Sequence, residues 1–227
     1  MVTLANNLQA QAVIFDFDGV IVDTEPLHYR AFQQILEPRG FGFSWSEYQE
    51  TFMGFDDRDA FLEAFKSYGQ KISTDELSTL IATKADIFQE VIREGVTAYP
   101  GVVELIRALH GAQIPLAICS GALLSDIVPI LKTLGIESCF QIVVTAEDVA
   151  KSKPDPECYR LAFEKLCAHW PQSTISAHDT FAIEDTPAGI NSATQAGLNV
   201  IAVTNSYPRE QLVNATLITD SLANLLT

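Results

Sequence analysis

An α/β fold is the class the sequence predicts: a Rossmann-like parallel sheet with helices on both faces, plus a small α-helical cap domain inserted after the first strand. Three observations predict it. From about residue 98 onward, short β-rich apolar runs alternate with helical patterns, as βα units do in a parallel sheet. The runs VIF (13–15), LAIC (116–119) and VIAV (200–203) are almost continuously apolar, which suits strands buried on both faces. Between residues 24 and 97, by contrast, helical periodicity dominates and strand signals are absent.

The elements follow in order. A first strand spans 12–17. In the insert, Ser73 and Glu76 form a capping-box pattern. Leu77, Leu80, Ile81, Phe88, Val91 and Ile92 then recur at helical spacing. IPLAICS (114–120) reads as a strand, and LLSDIVPILKTLG (123–135) as a helix closed by Gly135. QIVVT (141–145) is a strand and PECYRLAFEKLC (156–167) a helix. FAIED (181–185) is a strand, and PAGINSATQAG (187–197) a helix that opens on Pro187 and closes on Gly197. LNVIAV (198–203) is a further strand. The expected division is a core of residues 1–22 and 98–227, with a helical cap over 23–97. No internal repeat or low-complexity segment interrupts it.

Composition narrows the function. Of the 227 residues 48% are apolar, which suits a globular fold. No apolar run approaches the ~20 residues needed to cross a bilayer. The leading MVTLANNLQAQ carries no Lys or Arg, so no signal peptide is expected. Cys119, Cys139, Cys158 and Cys167 include no CxxC pair and read as small, buried apolar residues in a reducing, cytoplasmic setting. A net charge of −15 without any basic run excludes a nucleic-acid binder. The same field repels anions at long range, so a phosphate ester would need local cations: a metal ion and one or two lysines or arginines.

Four segments carry the chemistry. VIFDFDG (13–19) ends a buried strand in two carboxylates, Asp16 and Asp18, on one face by the two-residue period. A hairpin turning at Asp18-Gly19 is the plain alternative, but it leaves Asp16 unexplained in an apolar run, where an unpaired carboxylate is costly. Two like charges so close call for a cation, and Mg²⁺ with oxygen ligands is the usual one. Ser120-Gly121 follows the strand IPLAIC; its hydroxyl and the amides of the next turn, through Ala122, suit phosphate oxygens. The alternative there is a Ser helix cap. Lys153, in AKSKPDP (150–156), is either a solvated loop lysine or a fixed cation braced by Pro154. Glu184 and Asp185 close a strand before the helix opened by Pro187, where a favourable helix dipole is the structural alternative. A parallel sheet gathers all these groups at one edge, where ligands bind in open α/β sheets.

In that order, DFDGV (16–20), Ser120, Lys153 before Pro154, and Glu184-Asp185 resemble the four motifs of the haloacid dehalogenase superfamily, over essentially the whole chain. DGVIVDTEPLH (18–28), YPG (99–101) and EDTPAGI (184–190) look most like its β-phosphoglucomutase-like and sugar-phosphate phosphatase branch. The resemblance implies that Asp16 attacks phosphorus and that Asp18 protonates the leaving alcohol and then activates water. It implies Mg²⁺ held by Asp16, the Asp18 backbone carbonyl and Asp185, with Glu184 direct or through water. Ser120 and Lys153 would bind the phosphoryl group, and Gly19, Gly121 and Ala122 would line its site. The insert matches a cap that closes over the site and excludes water. His28 and Lys84 fall where the mutases place a hinge histidine and a cap lysine, although both can be read as surface residues. The mutases also carry a cap arginine shortly after a glycine like Gly54. Here Asp57 takes that position and Arg58 follows it, which favours phosphatase over mutase. The second aspartate, Asp18, speaks against carbon–halogen cleavage.

The expectation is an Mg²⁺-dependent, monomeric phosphatase of a small phosphorylated metabolite, with no nucleic-acid or membrane partner. A hexose-phosphate mutase is the first alternative, and a non-catalytic domain phosphorylated on aspartate is the second. The segment SAHDT (176–180) has no functional reading.

Overall fold

The computed structural model describes residues 2–3, 9–53 and 55–225; Gly54 lies outside the described residues, as does part of the leading MVTLANNLQAQ segment. The chain forms two compact units, Met1–Asp23 with Thr97–Thr227, and Thr24–Val96. The first is built on a six-stranded sheet. A two-residue antiparallel pair, β1 (Val2–Thr3) and β2 (Gln9–Ala10), precedes it. The sheet strands are β3 (Ala12–Phe15), β4 (Leu116–Cys119), β5 (Ile142–Val144), β6 (Thr180–Glu184), β7 (Asn199–Val203) and β8 (Leu217–Thr219). Their order is β5-β4-β3-β6-β7-β8 and every pair is parallel. The order reverses between β3 and β6, so a crevice is expected beyond their carboxyl ends. VIFDFDG does not form a hairpin. The strand ends at Phe15, and the chain turns tightly with Ile21 N–H donating to Phe17 O at 2.8 Å. The final strand β8, only three residues long, has no alternation by which the sequence could announce it.

The second unit is helical: α1 (Glu25–Leu36), α2 (Trp45–Glu47, running into a π-helical turn over Tyr48–Phe52), α3 (Asp57–Ser67) and α4 (Thr74–Arg93). Its core joins Phe32, Ile35 and Leu36 of α1 to Phe61 and Phe65 of α3 and to Leu77 and Leu80 of α4. Burying each such side chain contributes roughly 2 kcal/mol. At Ser73 the side chain accepts from Glu76 N–H at 3.2 Å, one arm of the expected box. Ser44 and Glu47 form both arms of another.

The remaining helices belong to the first unit: α5 (Val102–Gly111), α6 (Leu124–Leu134, ending on Gly135), α7 (Glu157–His169) and α8 (Pro187–Gln195). Ala12 and Ile14 of β3 share a buried cluster with Tyr159 and Ala162 of α7 and Ile190 and Ala193 of α8. Val13 and Phe15 point the other way by the strand period and are equally buried, so β3 is covered on both faces. Two of the cysteines are neighbours in space: Cys119 and Cys158 have Cα atoms 5.9 Å apart. The two are 39 residues apart in sequence, so spacing gave no sign of it. Cys139 and Cys167 are free. Among the described residues, no helix is long and apolar enough to cross a membrane.

Candidate active site

The site grows from the carboxyl ends of four strands. The residue after β3, Asp16, continues the ladder with its N–H donating to Ile183 O of β6 at 2.9 Å, and its side chain is buried. The chain then turns through Asp18 to Gly19, whose φ of 79° is left-handed. A Cβ at Gly19 would collide with the Asp185 carboxylate, so glycine is required by both backbone and space. Ser120 follows β4, with its N–H bonded to Val144 O at 3.0 Å and its hydroxyl accepting from Ala122 N–H at 2.9 Å. Ser120 is therefore not the helix cap of the plain alternative, since α6 starts from Leu123 without a side-chain cap; its hydroxyl closes a local turn and lies 3.5 Å from an Asp18 oxygen. Gly121 has open space where a side chain would stand.

Lys153 reaches in from the loop after β5. Its ammonium lies 2.8 Å from Asp16 Oδ1, 2.7 Å from Glu184 Oε1 and 3.1 Å from the Cys119 carbonyl, above the Tyr159 ring at 4.9 Å. Glu184, the last residue of β6, is fully buried and saturated with donors. Its Oε1 accepts from Lys153 and from Tyr159 OH at 2.9 Å. Its Oε2 accepts from Asp185 N–H at 3.0 Å, Thr186 N–H at 3.2 Å and Thr186 Oγ1 at 3.1 Å. Asp185 differs. Ser206 Oγ donates to its Oδ2, while its buried Oδ1 has no hydrogen-bond partner among the described residues.

Charge is out of balance here. Asp16 and Glu184 share the Lys153 ammonium, and the charges of Asp18 and Asp185 act in the same cluster. Burial pushes the Asp16 carboxyl up to about 7, Lys153 pulling it down and Glu184 and Asp18 adding to the rise. Burial, then Glu184 and Asp16, hold Asp185 well above its ordinary value. Burial disfavours the Lys153 ammonium, yet Asp16 and Glu184 overcome that and raise its pKa. Oxygens of Asp16, Glu184 and Asp185 all lie within 4.8 Å of one another, a group that could hold a metal ion. The orphaned Asp185 Oδ1 is what a cation would satisfy, because a buried polar atom without a partner is costly. Hard oxygen donors suit Mg²⁺.

Residues 13–203 match the haloacid dehalogenase-like hydrolase family. The chain belongs to that family. Among curated relatives, a phosphorylated carbohydrates phosphatase of Thermotoga maritima is 28% identical over 84% of this chain and 83% of its own length. A beta-phosphoglucomutase of Bacillus subtilis is 30% identical over 87% of this chain and 85% of its own. Among solved structures, CbbY from Rhodobacter sphaeroides in complex with phosphate is similar with a TM-score of 0.83 and 25% identity, covering 94% of this chain and 95% of that one. Membership makes this haloacid dehalogenase-like chain an enzyme of the hydrolase class and sets aside the signalling-domain alternative.

The remaining sequence candidates lie in the helical unit. Lys84 is buried, with its ammonium 2.8 Å from Asp57 Oδ1 and 2.7 Å from His28 Nδ1, over the rings of Phe32 and Phe88. His28 stacks on Phe88 at 4.1 Å. Lys84 is thus not the solvated lysine that the plain alternative allowed for, whereas His28 is half-buried. Arg58 is exposed at the start of α3. Tyr159, Thr186, Asn205 and Ser206 were not found from the sequence. Thr186 carried a signal, as a threonine before a helix-opening proline. Tyr159 reads as core, and Asn205, which donates to the Gly19 carbonyl at 2.7 Å, sits in a featureless loop.

Proposed function

We propose that this hydrolase is an Mg²⁺-dependent phosphatase of a small phosphorylated carbohydrate, working through an aspartyl-phosphate on Asp16. The observation that carries it is the buried cluster of Asp16, Lys153 and Asp185, with the unpartnered Asp185 Oδ1. Asp16, Asp185 and the Asp18 carbonyl would hold the ion, which when bound supplies positive charge to the oxygens of the transferring phosphoryl group. Glu184, already saturated by protein donors, serves Lys153 as a buried counter-ion.

An Asp16 carboxylate oxygen forms a bond to phosphorus as the bond to the sugar oxygen breaks, and Asp18 gives its proton to the departing alkoxide. Asp18 then takes a proton from water as that water attacks the aspartyl-phosphate, restoring the Asp16 carboxylate and releasing inorganic phosphate. Ser120 and Lys153, with the amides of Gly121 and Ala122, bind the phosphoryl oxygens, where positioning and charge carry most of the catalysis.

Water, rather than a second sugar, is the favoured acceptor because of Asp57. It engages Lys84, which is buried in the helical unit, so Lys84 does not offer a spare positive charge to a second phosphate. The relationship to a mutase keeps transfer between sugar hydroxyls as the second reading. The small-molecule ester is the only partner this reading needs, a monomer in a cytoplasmic setting suffices, and the −15 net charge gives nucleic acid no footing. Phosphate release from a panel of sugar monophosphates with Mg²⁺ tests it, alongside β-glucose 1-phosphate primed with the 1,6-bisphosphate. Free phosphate from a monophosphate is expected. Conversion to glucose 6-phosphate without phosphate release overturns it in favour of the mutase.

A further inference from the structure

We infer that Tyr159 is a positioning residue whose hydroxyl, by sharing Glu184 Oε1 with Lys153, keeps the Lys153 ammonium committed to Asp16. The inference rests on the role proposed above for Lys153. Tyr159 stands in the first turn of α7 with no exposed surface. Phenylalanine would fill the same space, so a hydroxyl at this depth has to be matched by a partner. That partner is Glu184 Oε1 at 2.9 Å, the same oxygen that Lys153 approaches at 2.7 Å. The ring face lies 4.9 Å from the same ammonium. Burial, then Glu184 and Asp16, hold the phenol well above its ordinary pKa, so it stays a donor.

Two carboxylates compete for one lysine, at 2.7 and 2.8 Å. A donor on the Glu184 side spreads that carboxylate's charge over more hydrogen bonds and weakens its hold on Lys153. Without the hydroxyl, Glu184 Oε1 draws the ammonium away from Asp16 and from the phosphoryl oxygens. The loss falls on the transition state, where those oxygens carry the most charge, and not on ground-state binding of the sugar.

Tyr159→Phe keeps the ring and removes only the hydroxyl. The expected result is a fall in kcat of about tenfold with KM within about twofold. Affinity for orthovanadate, a mimic of the transferring phosphoryl group, falls by the same factor while the melting temperature stays near wild type. Vanadate binding is read by thermal shift and requires no substrate, so it decides the matter even where the ester panel finds none. In a Glu184→Gln background the same change has little further effect, because the residue acts through Glu184. Unchanged vanadate affinity in Tyr159→Phe overturns the inference. So does an equal loss in both backgrounds, or a loss that tracks a lowered melting temperature.

Discussion

Gly189→Ala sets two effects of opposite sign against each other. Gly189 is in the first turn of α8, where alanine is worth about 1 kcal/mol more than glycine by helix propensity. Propensity alone predicts a more stable protein. The close approach predicts the reverse, since a Cβ at this position would coincide with the Glu184 carboxylate, meeting Oε1, Cδ and Oε2. Glu184 cannot yield cheaply, being buried and held by five donors. Losing its hydrogen bonds to Lys153 and Tyr159 costs about 1.5–3 kcal/mol each. Partial relaxation and the propensity gain leave a net destabilisation of about 2–4 kcal/mol. For a chain of this size that lowers the melting temperature by roughly 5–15 °C. Thermal unfolding followed by circular dichroism measures it, with Gly111→Ala as the control. Gly111 lies in the last turn of α5 with open space around its missing Cβ, so the control should be neutral or slightly stabilising. A Gly189→Ala protein as stable as wild type would refute the claim that Glu184 is pinned against α8.

Two further outcomes are expected. Metal-free protein should lose stability as pH rises, because Asp16 has a folded value of about 7 against an ordinary 3.8. The stability linked to that raised value is full below about pH 4 and is lost as pH passes through about 7. Mg²⁺ should remove the loss in wild type and not in Asp185→Asn, as thermal shift titrations across pH will show. In the helical unit, Asp57→Asn leaves the buried Lys84 without its carboxylate and should cost about 3 kcal/mol. Adding Lys84→Met should recover most of that, and a double variant no better than the single would exclude the pair as the cause.

Much of the fold could be read along the chain because its signals are local. The apolar run of LAIC, the Pro187 that opens α8 and the Gly135 that follows α6 each act within one element. β8 escaped notice because three residues carry no period. The strand-end carboxylates at 16, 18, 184 and 185 could be found for a related reason: charged residues stand out at the close of an apolar strand. What escaped notice depends on partners distant in sequence. Tyr159 is an ordinary core residue until Glu184, 25 positions away, is placed against it. Lys84 sits on an apolar stripe of α4, and only the folded helical unit brings Asp57 and His28 to its ammonium. The approach of Cys119 to Cys158 brings a strand and a helix together across 39 residues, a relation that spacing does not reveal.

The measurement that bears most directly on the mechanism is peptide mapping of Asp18→Asn by mass spectrometry, after incubation with Mg²⁺ and a sugar monophosphate that the wild type hydrolyses. Without Asp18 to activate water, the aspartyl-phosphate should persist. One phosphoryl group is expected on the peptide containing Asp16, discharged by hydroxylamine and absent from Asp16→Asn. An Asp18→Asn protein that stays unmodified while hydrolysing the ester at the wild-type rate would contradict covalent transfer through Asp16 with Asp18 as its acid and base.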